Sequence, residues 1–358
     1  MSIETDLKKD GIEIVARLDT LSINTLAKSV AEKICKAFPR AHFNEHILFI
    51  ELSRLPMYFA RMPEGFAEAN YFYKNSSVYF KEGIAFNELE KFAIHEFLHF
   101  IQEVKDAKDN LVKLGLCEFT EFKTYGLALN EGAVQLATSK ILKQEQDVVK
   151  YYDISFTTNS PSYYPLLCNL VSQLAYIIGE DVLFDSTLFS TTQFKLKAIE
   201  CLGEKNFFTI QNNLDKILNT EEKIIMLNQK LTSDDYEGMK AQRIANKIAK
   251  YKTYIKNIFI GTQNLIFTSY FDIAFNSLNT QEEIEAYRAK LYNYKNYIGI
   301  VENYNYFNQY YIDKMVALEN RFETVTTSNI TALVPVKVSK LANFIKLLRN
   351  LFIAKENY

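Results

Sequence analysis

The spacing of apolar positions lays out most of the chain. Between residues 12 and 38, Ile14, Leu18, Leu21, Leu26, Val30 and Ile34 recur at helical intervals and predict one or two amphipathic helices. At His46 the period is lost. The run His46-Ile47-Leu48-Phe49-Ile50-Glu51-Leu52 is short, apolar and rich in β formers, and it reads as a strand. Residues 55–65, with Pro56, Pro63 and Gly65, read as loop. Residues 71–73 and 77–81 predict two further strands joined by the turn-like Lys74-Asn75-Ser76. The N-terminal part is therefore expected to be helix plus a small mixed sheet.

From residue 88 onward the pattern is helical almost to the end. A helix is predicted over 88–105, a solvated charged loop over 106–110 and a second helix over 124–143. Residues 157–165 have loop chemistry, and 166–178 form an apolar helix closed by Gly179. Three or four long helices fill 221–325. One of them opens at Thr280 with Glu283 three residues on, a capping-box pattern. Residues 326–338, rich in Thr, Ser and Asn and holding Pro335, read as a linker. The last predicted helix, 341–354, carries Leu341, Phe344, Ile345, Leu348, Leu351 and Phe352 on one face, bordered by Lys340, Lys346, Arg349 and Lys355. A basic amphipathic helix of this kind packs on its own protein, lies on a membrane surface or binds a partner.

Composition narrows the class. The 358 residues are 48% hydrophobic and 23% charged, the balance of a globular chain of about two domains. Only 11 Gly and 6 Pro argue for long helices and against a many-stranded sandwich. Lys+Arg 41 against Asp+Glu 43 leaves no basic field for nucleic acid. The four cysteines, Cys35, Cys117, Cys168 and Cys201, form no C-x-x-C pair, so reduced thiols and a cytoplasmic setting are expected. The mixed charges of the N-terminus offer no secretory signal. No apolar run reaches the roughly 18 residues of a membrane span. No Gly-rich phosphate loop occurs.

The fold class expected is α+β, mainly α. Residues 1–215 would form a catalytic domain with the small N-terminal mixed sheet, 216–325 a helical domain, and 326–358 the linker and C-terminal amphipathic helix.

The chemistry is concentrated in one place. Of only four histidines, two fall in His95-Glu96-Phe97-Leu98-His99. On a helix, positions i and i+4 share a face, so both imidazoles can offer a nitrogen to one Zn²⁺. Glu96 points to a neighbouring face and can reach a water on the metal without occupying the metal, the place of a general base. Phe92, Ala93, Ile94, Phe97, Leu98, Phe100 and Ile101 flank the motif, so the helix should be buried. Burying two His and a Glu is costly unless they are paired or coordinated. Hydrogen-bonded core histidines are the plainer alternative.

A catalytic zinc needs a third protein ligand and an open fourth position. The longer motif with Gly three and a third His six residues after His99 is excluded, because Gln102 and Lys105 stand there. The acidic candidates are Glu103, Asp106, Asp109, Glu118, Glu121 and Glu131. Glu131 fits best. It sits among small and apolar neighbours in Ala128-Leu129-Asn130-Glu131-Gly132-Ala133, on the second predicted helix.

These two motifs, His95-Glu96-Phe97-Leu98-His99 and the Asn130-Glu131 that follows in Ala128–Leu136, resemble the gluzincin clan of thermolysin-like zinc metallopeptidases. The likeness covers only two short stretches plus the strand-then-helix order before them. It implies a zincin-like core, His95, His99 and Glu131 as zinc ligands, Glu96 as general base, and hydrolysis of peptide or protein substrates. The clan often has an acidic residue one turn after the Glu ligand to orient a ligand His; here that place holds Gln135, whose amide oxygen can accept the imidazole N–H. The resemblance also implies a phenol that stabilises the oxyanion, with Tyr163, Tyr164 and Tyr125 as candidates. It further implies an edge strand that pairs with substrate, for which residues 77–81 are the candidate.

Two other readings stay open. The chain can be a helical interaction protein with a structural zinc, or a regulatory protein that uses the same site on a single partner. The inverted motif His42-Phe43-Asn44-Glu45-His46 also appears, but it reads as loop entering strand rather than as a metal-binding helix.

Overall fold

The structure, a computed structural model, describes residue 7 and residues 11–63, 65, 67–120, 123–232, 238–298 and 306–333; in the last stretch side chains are described for 307–326. The class is α+β, mainly α. The expected C-terminal amphipathic helix at 341–354 lies outside the described residues, as does Glu121.

The chain begins with strand β1 (Glu13–Arg17), followed by α1 (Thr20–Ala37) and α2 (Glu45–Ser53). Next come β2 (Met57–Arg61), β3 (Ala69–Phe72), β4 (Ser77–Lys81) and α3 (Phe86–Ile101). Strands β5 (Glu103–Lys105), β6 (Leu111–Leu114), β7 (Cys117–Phe119) and β8 (Thr124–Tyr125) lead into α4 (Leu127–Ile141). A hairpin, β9 (Asp147–Tyr151) and β10 (Ile154–Thr158), precedes α5 (Pro165–Ile178), α6 (Glu180–Leu188), α7 (Gln193–Leu202) and α8 (Glu204–Leu231). The remaining helices are α9 (Gly238–Asn276), α10 (Gln281–Ile298) and α11 (Tyr306–Leu333).

Several elements depart from the sequence pattern, each for a local reason. Residues 46–52 are helix, not strand. Asn44, with extended φ and ψ, accepts from the Ile47 N–H at 3.1 Å and caps α2. The helix buries Leu48 and Leu52 while Ile47 stays exposed, so its apolar residues surround it and show no clean period. Residues 13–17 are strand rather than helix. Helix α1 starts only after Asp19, which accepts from the Ser22 N–H at 2.9 Å. The loop expected at 55–65 contains β2. The helix expected to run to 105 stops at Ile101, and the one expected from 124 starts at Leu127. The linker expected from 326 is helical as far as Leu333. Where the pattern carried explicit caps it held: Thr280 Oγ1 accepts from the Glu283 N–H while Glu283 Oε2 accepts from the Thr280 N–H, both at 3.1 Å.

The first sheet has the order β1-β2-β4-β3. β2 and β4 are parallel, and the outer pairs are antiparallel. Residues 77–81 are therefore a central strand, with both edges already paired, and cannot add a peptide. β3 is the edge on the side of α3. The second sheet, β5-β6-β7-β8, is antiparallel throughout.

Two compact units result. One comprises Met1–Ile273 with Tyr294–Asn305, the other Ala274–Asn293 with Tyr306–Tyr358. The boundary expected at 215/216 falls inside α8, whose buried stripe of Phe207, Ile210, Leu214, Ile217, Leu218 and Ile224 runs unbroken across it. In the first unit, Asn169 of α5 donates to the carbonyls of Thr157 (2.9 Å) and Tyr297 (3.0 Å) and accepts from Gln173 and Gln263. In the second, Arg288 pairs with Glu319 at 2.8 Å, and Arg321 donates to the carbonyl of Leu278. No single helix among the described residues is long and apolar enough to cross a membrane.

Candidate metal centre

Helix α3 holds the first two candidate ligands because its other faces are apolar. Leu89, Ala93, Ile94, Phe97 and Leu98 are fully buried, and at roughly 1.5–3 kcal/mol for each large side chain they anchor the helix. His95 and His99 share the remaining face, with ring centroids 4.8 Å apart. Helix α4 brings the third. Gly132 lets it lie close to α5: a Cβ there would stand 2.8 Å from Val171 Cγ2 and 3.3 Å from Leu167 Cβ. Asn130, fully buried, fixes where α4 sits. Its Oδ1 accepts from the Leu116 N–H (3.0 Å), and its Nδ2 donates to Gln102 Oε1 (3.2 Å) just past the end of α3.

These supports converge on a compact group. His95 Nε2 lies 3.0 Å from His99 Nε2 and 3.3 Å from Glu131 Oε2, and His99 Nε2 lies 3.5 Å from Glu131 Oε1. His95, His99 and Glu131 could hold a metal ion, and among the described residues no fourth His, Cys, Asp or Glu joins them. His42 and His46 belong to no such group among the described residues. His42 sits in a left-handed cap position and His46 in the first turn of α2.

The surroundings favour one tautomer of His95. Its Nδ1 is 2.9 Å from Gln135 Oε1. An amide oxygen only accepts, so the ring donates there and turns Nε2 toward the group. Gln135 Nε2 in turn donates to Ser160 Oγ (3.0 Å), and Ser160 donates to the Tyr163 carbonyl (2.6 Å). A continuous chain of hydrogen bonds thus ties a candidate ligand to the loop before α5. His99 Nδ1 is buried without a hydrogen-bond partner among the described residues, and the ring is held through its Nε2 contacts with His95 and Glu131.

Charge is shared within the group. Burial opposes the charge on His99, but the Glu131 carboxylate beside it prevails and raises its pKa to about 9. Burial likewise opposes the Glu131 charge, and His99 and His95 together hold its carboxyl far below the usual range.

Glu96, the residue directly after His95, is buried. Its Oε2 accepts from the Tyr71 N–H of β3 at 2.6 Å. Sequence reasoning did not single out Tyr71; its link to Glu96 runs through a backbone amide, which no residue type announces. Asp215 was missed for a similar reason: its Oδ1 accepts from the Ala128 N–H (3.0 Å) in the first turn of α4.

Of the three tyrosines named as oxyanion donors, the structure places one beside the group. The Tyr164 ring lies 6.2 Å from that of His95. Tyr164 occupies the left-handed region (φ 49°, ψ 43°) immediately before Pro165, a conformation that costs about 1–3 kcal/mol for a bulky residue. Its phenol is pushed well above its usual pKa by burial and by the carboxylates of Glu131, Glu96, Glu222 and Glu221, so it stays a hydrogen-bond donor. Tyr163 packs edge-on against Phe92. Tyr125 lines a different cavity of about 220 Å³ with Lys113, Lys195 and Phe208.

In comparisons with known proteins, no family model, no curated protein and no solved structure matches this chain.

Proposed function

We propose that the chain is a zinc-dependent metallopeptidase of gluzincin type. The observation that carries this reading is the spacing of the three candidate ligand atoms. A tetrahedral ion with bonds of 2.0–2.2 Å separates its ligands by roughly 3.3–3.6 Å. The distances of 3.0, 3.3 and 3.5 Å already approach that. The donor set, two neutral imidazoles and one carboxylate, is one that zinc takes in catalytic sites.

On this reading, His95, His99 and Glu131 hold the ion, and bound zinc supplies Lewis acidity, lowering the pKa of water and polarising a carbonyl. Glu96 is the base. Tyr71 fixes its Oε2, and Oε1, with no hydrogen-bond partner among the described residues, takes the proton and delivers it to the leaving amine. Tyr164 donates its phenolic hydrogen toward the developing oxyanion. Gln135 keeps His95 in the ligating tautomer. The outer edge of β3, whose Tyr71 N–H meets Glu96, replaces residues 77–81 as the strand along which an extended peptide would lie.

A structural zinc is the rival. The three-membered donor set favours catalysis over it, because structural sites are closed by four protein ligands. The test pairs metal analysis with an unbiased peptide library. Wild type should retain one zinc and cut peptides, and Glu131→Ala should lose the metal. Full zinc content in Glu131→Ala would assign the third ligand elsewhere. Zinc without any cleavage would leave the structural reading standing.

A further inference from the structure

The cavity bordered by Tyr125 is separate from the metal group, and none of the three candidate ligands lines it. The second sheet supplies part of its lining. Lys113 pairs with Glu118 across β6 and β7, and Glu118 pairs with Tyr125 across β7 and β8. Directly paired residues point to the same side of a sheet, so the three side chains form one row, with neighbouring Cβ atoms about 4.5–5.5 Å apart. Helices complete the lining: Thr192 and Lys195 at the start of α7, and the exposed ring of Phe208 on α8. Leu129 of α4 and Phe207 of α8, both buried, add apolar surface.

Ion pairing in this row leaves one cation over. The carboxylate opposite Lys113 is turned to Lys195 of α7, whose Nζ donates to both Glu118 oxygens at 3.1 Å. Lys113 itself has neither a hydrogen bond nor an ion pair among the described residues. Two lysines against one glutamate leave the lining with a net charge of plus one. Burial pulls the Lys113 pKa below the ordinary lysine value, Glu118 works against that, and Lys195 adds to it. Beside this half-buried cation stand two large uncovered rings, Tyr125 at 43% and Phe208 at 40% exposure. Thr192 holds the N-cap position of α7, yet its side chain does not cap the helix, so its hydroxyl can donate into the cavity. The volume of about 220 Å³ bounds the occupant. An apolar cavity of about 150 Å³ takes a benzene, so this one has room for a single ring with a short polar arm.

We propose that this cavity binds a carboxylate carried beside an aromatic ring, with the carboxylate on Lys113 and Thr192 and the ring against Tyr125 and Phe208. The ligand gives Lys113 the counter-charge that Glu118 gives Lys195. A dianion such as a phosphate monoester would meet one uncommitted cation and the repulsion of Glu118, and an uncharged ring would leave Lys113 unpaired. A free aryl acid and a peptide that ends in Phe or Tyr present the same chemistry. The inference depends neither on a metal nor on the peptidase reading.

The test titrates the full chain by ligand-observed NMR with four probes: 3-phenylpropanoate, its amide, phenyl phosphate and the tripeptide Gly-Gly-Phe. The protein is treated with chelator first, so that no carboxylate is held by an ion. The tighter of the two carboxylates should bind with a Kd below about 1 mM, as a well-seated fragment does. It should bind at least about fivefold tighter than the amide and than phenyl phosphate. Whichever carboxylate wins identifies the source as a free acid or a peptide end. Lys113→Gln should weaken it about tenfold, the loss of one charge-assisted contact. A footprint locates the ligand without any substitution and so holds even where Lys113→Gln fails to fold. Saturating carboxylate should protect Lys113 from acetylation, read by mass spectrometry, while the exposed Lys240 of α9 stays reactive. Equal binding of acid and amide would overturn the inference, as would phenyl phosphate binding tightest or neither carboxylate saturating. So would full affinity in Lys113→Gln, or a Lys113 that is acetylated as fast with ligand as without.

Discussion

Gln135 is the residue on which the quality of the centre turns. Its carbonyl oxygen receives the Nδ1–H of His95 and its amide nitrogen holds Ser160, so one side chain sets both a candidate ligand's tautomer and the loop that carries Tyr164. Removing it in Gln135→Ala should weaken zinc binding by about 10–100-fold. Gln135→Glu should strengthen it, because a carboxylate makes the imidazole a better donor. Competition with a chelator measures both, and equal affinities in all three proteins would show that His95 needs no orienting partner. For Tyr164, hydroxyl loss in Tyr164→Phe should lower kcat by about 10²–10³ with KM nearly constant, the pattern of a group that acts on the transition state alone. A drop confined to KM would place the phenol in substrate binding instead. Glu96→Gln should keep zinc and lose turnover; a variant that still cuts peptides would remove Glu96 from the chemistry. His95, Glu96 and His99 were legible in the sequence because their relation is set by one helical turn. Tyr71, Ser160 and Asp215 were not, because each acts on the site from another element across the fold.

The elements show the same divide between local and distant causes. Helices with explicit caps or a clean apolar stripe, such as α5 and α10, were readable from the chain. Helix α2 was not, since its apolar residues surround it and only Asn44 marks its start. The order of the first sheet was illegible as well. That β4 is central and β3 the edge follows from the parallel pairing of β2 with β4, a long-range choice that turn residues do not encode. What positions the third candidate ligand is the contact between α4 and α5 at Gly132. A methyl group there must push against Val171 and Leu167, both packed in the core and unable to swing aside. Gly132→Ala should therefore cost about 1–3 kcal/mol of stability, although alanine is the better helix former. It should also displace Glu131 and weaken metal binding. Thermal unfolding and chelator competition on the same preparation check this, and a variant with wild-type values in both would show that α5 yields without moving α4.

At the scale of the molecule, the His95–His99–Glu131 group should couple folding to pH, with opposite signs in the metal-free chain and in a chain loaded with the proposed ion. Without metal, His99 gains a proton-dependent partner in Glu131 and its pKa rises from 6.5 to about 9. That stabilisation is complete below the unfolded value and is lost as pH climbs through about 9. Zinc requires the same nitrogen without its proton, so each pH unit below about 9 should cost the ion about tenfold in apparent affinity. An ion bound only by the folded chain adds about 2.7 kcal/mol when free metal is a hundred times Kd, and less as protons compete. Raising pH from 6.5 to 9 should thus lower this contribution in the metal-free protein and raise it in the loaded one. The gap in Tm between the two forms should widen across that interval. Calorimetry of each form in matched buffers measures the gap directly. A gap that stays constant with pH would mean that His99 keeps no proton in the metal-free protein, and with it would go the account of how Glu131 is held as an anion inside the core before any ion arrives.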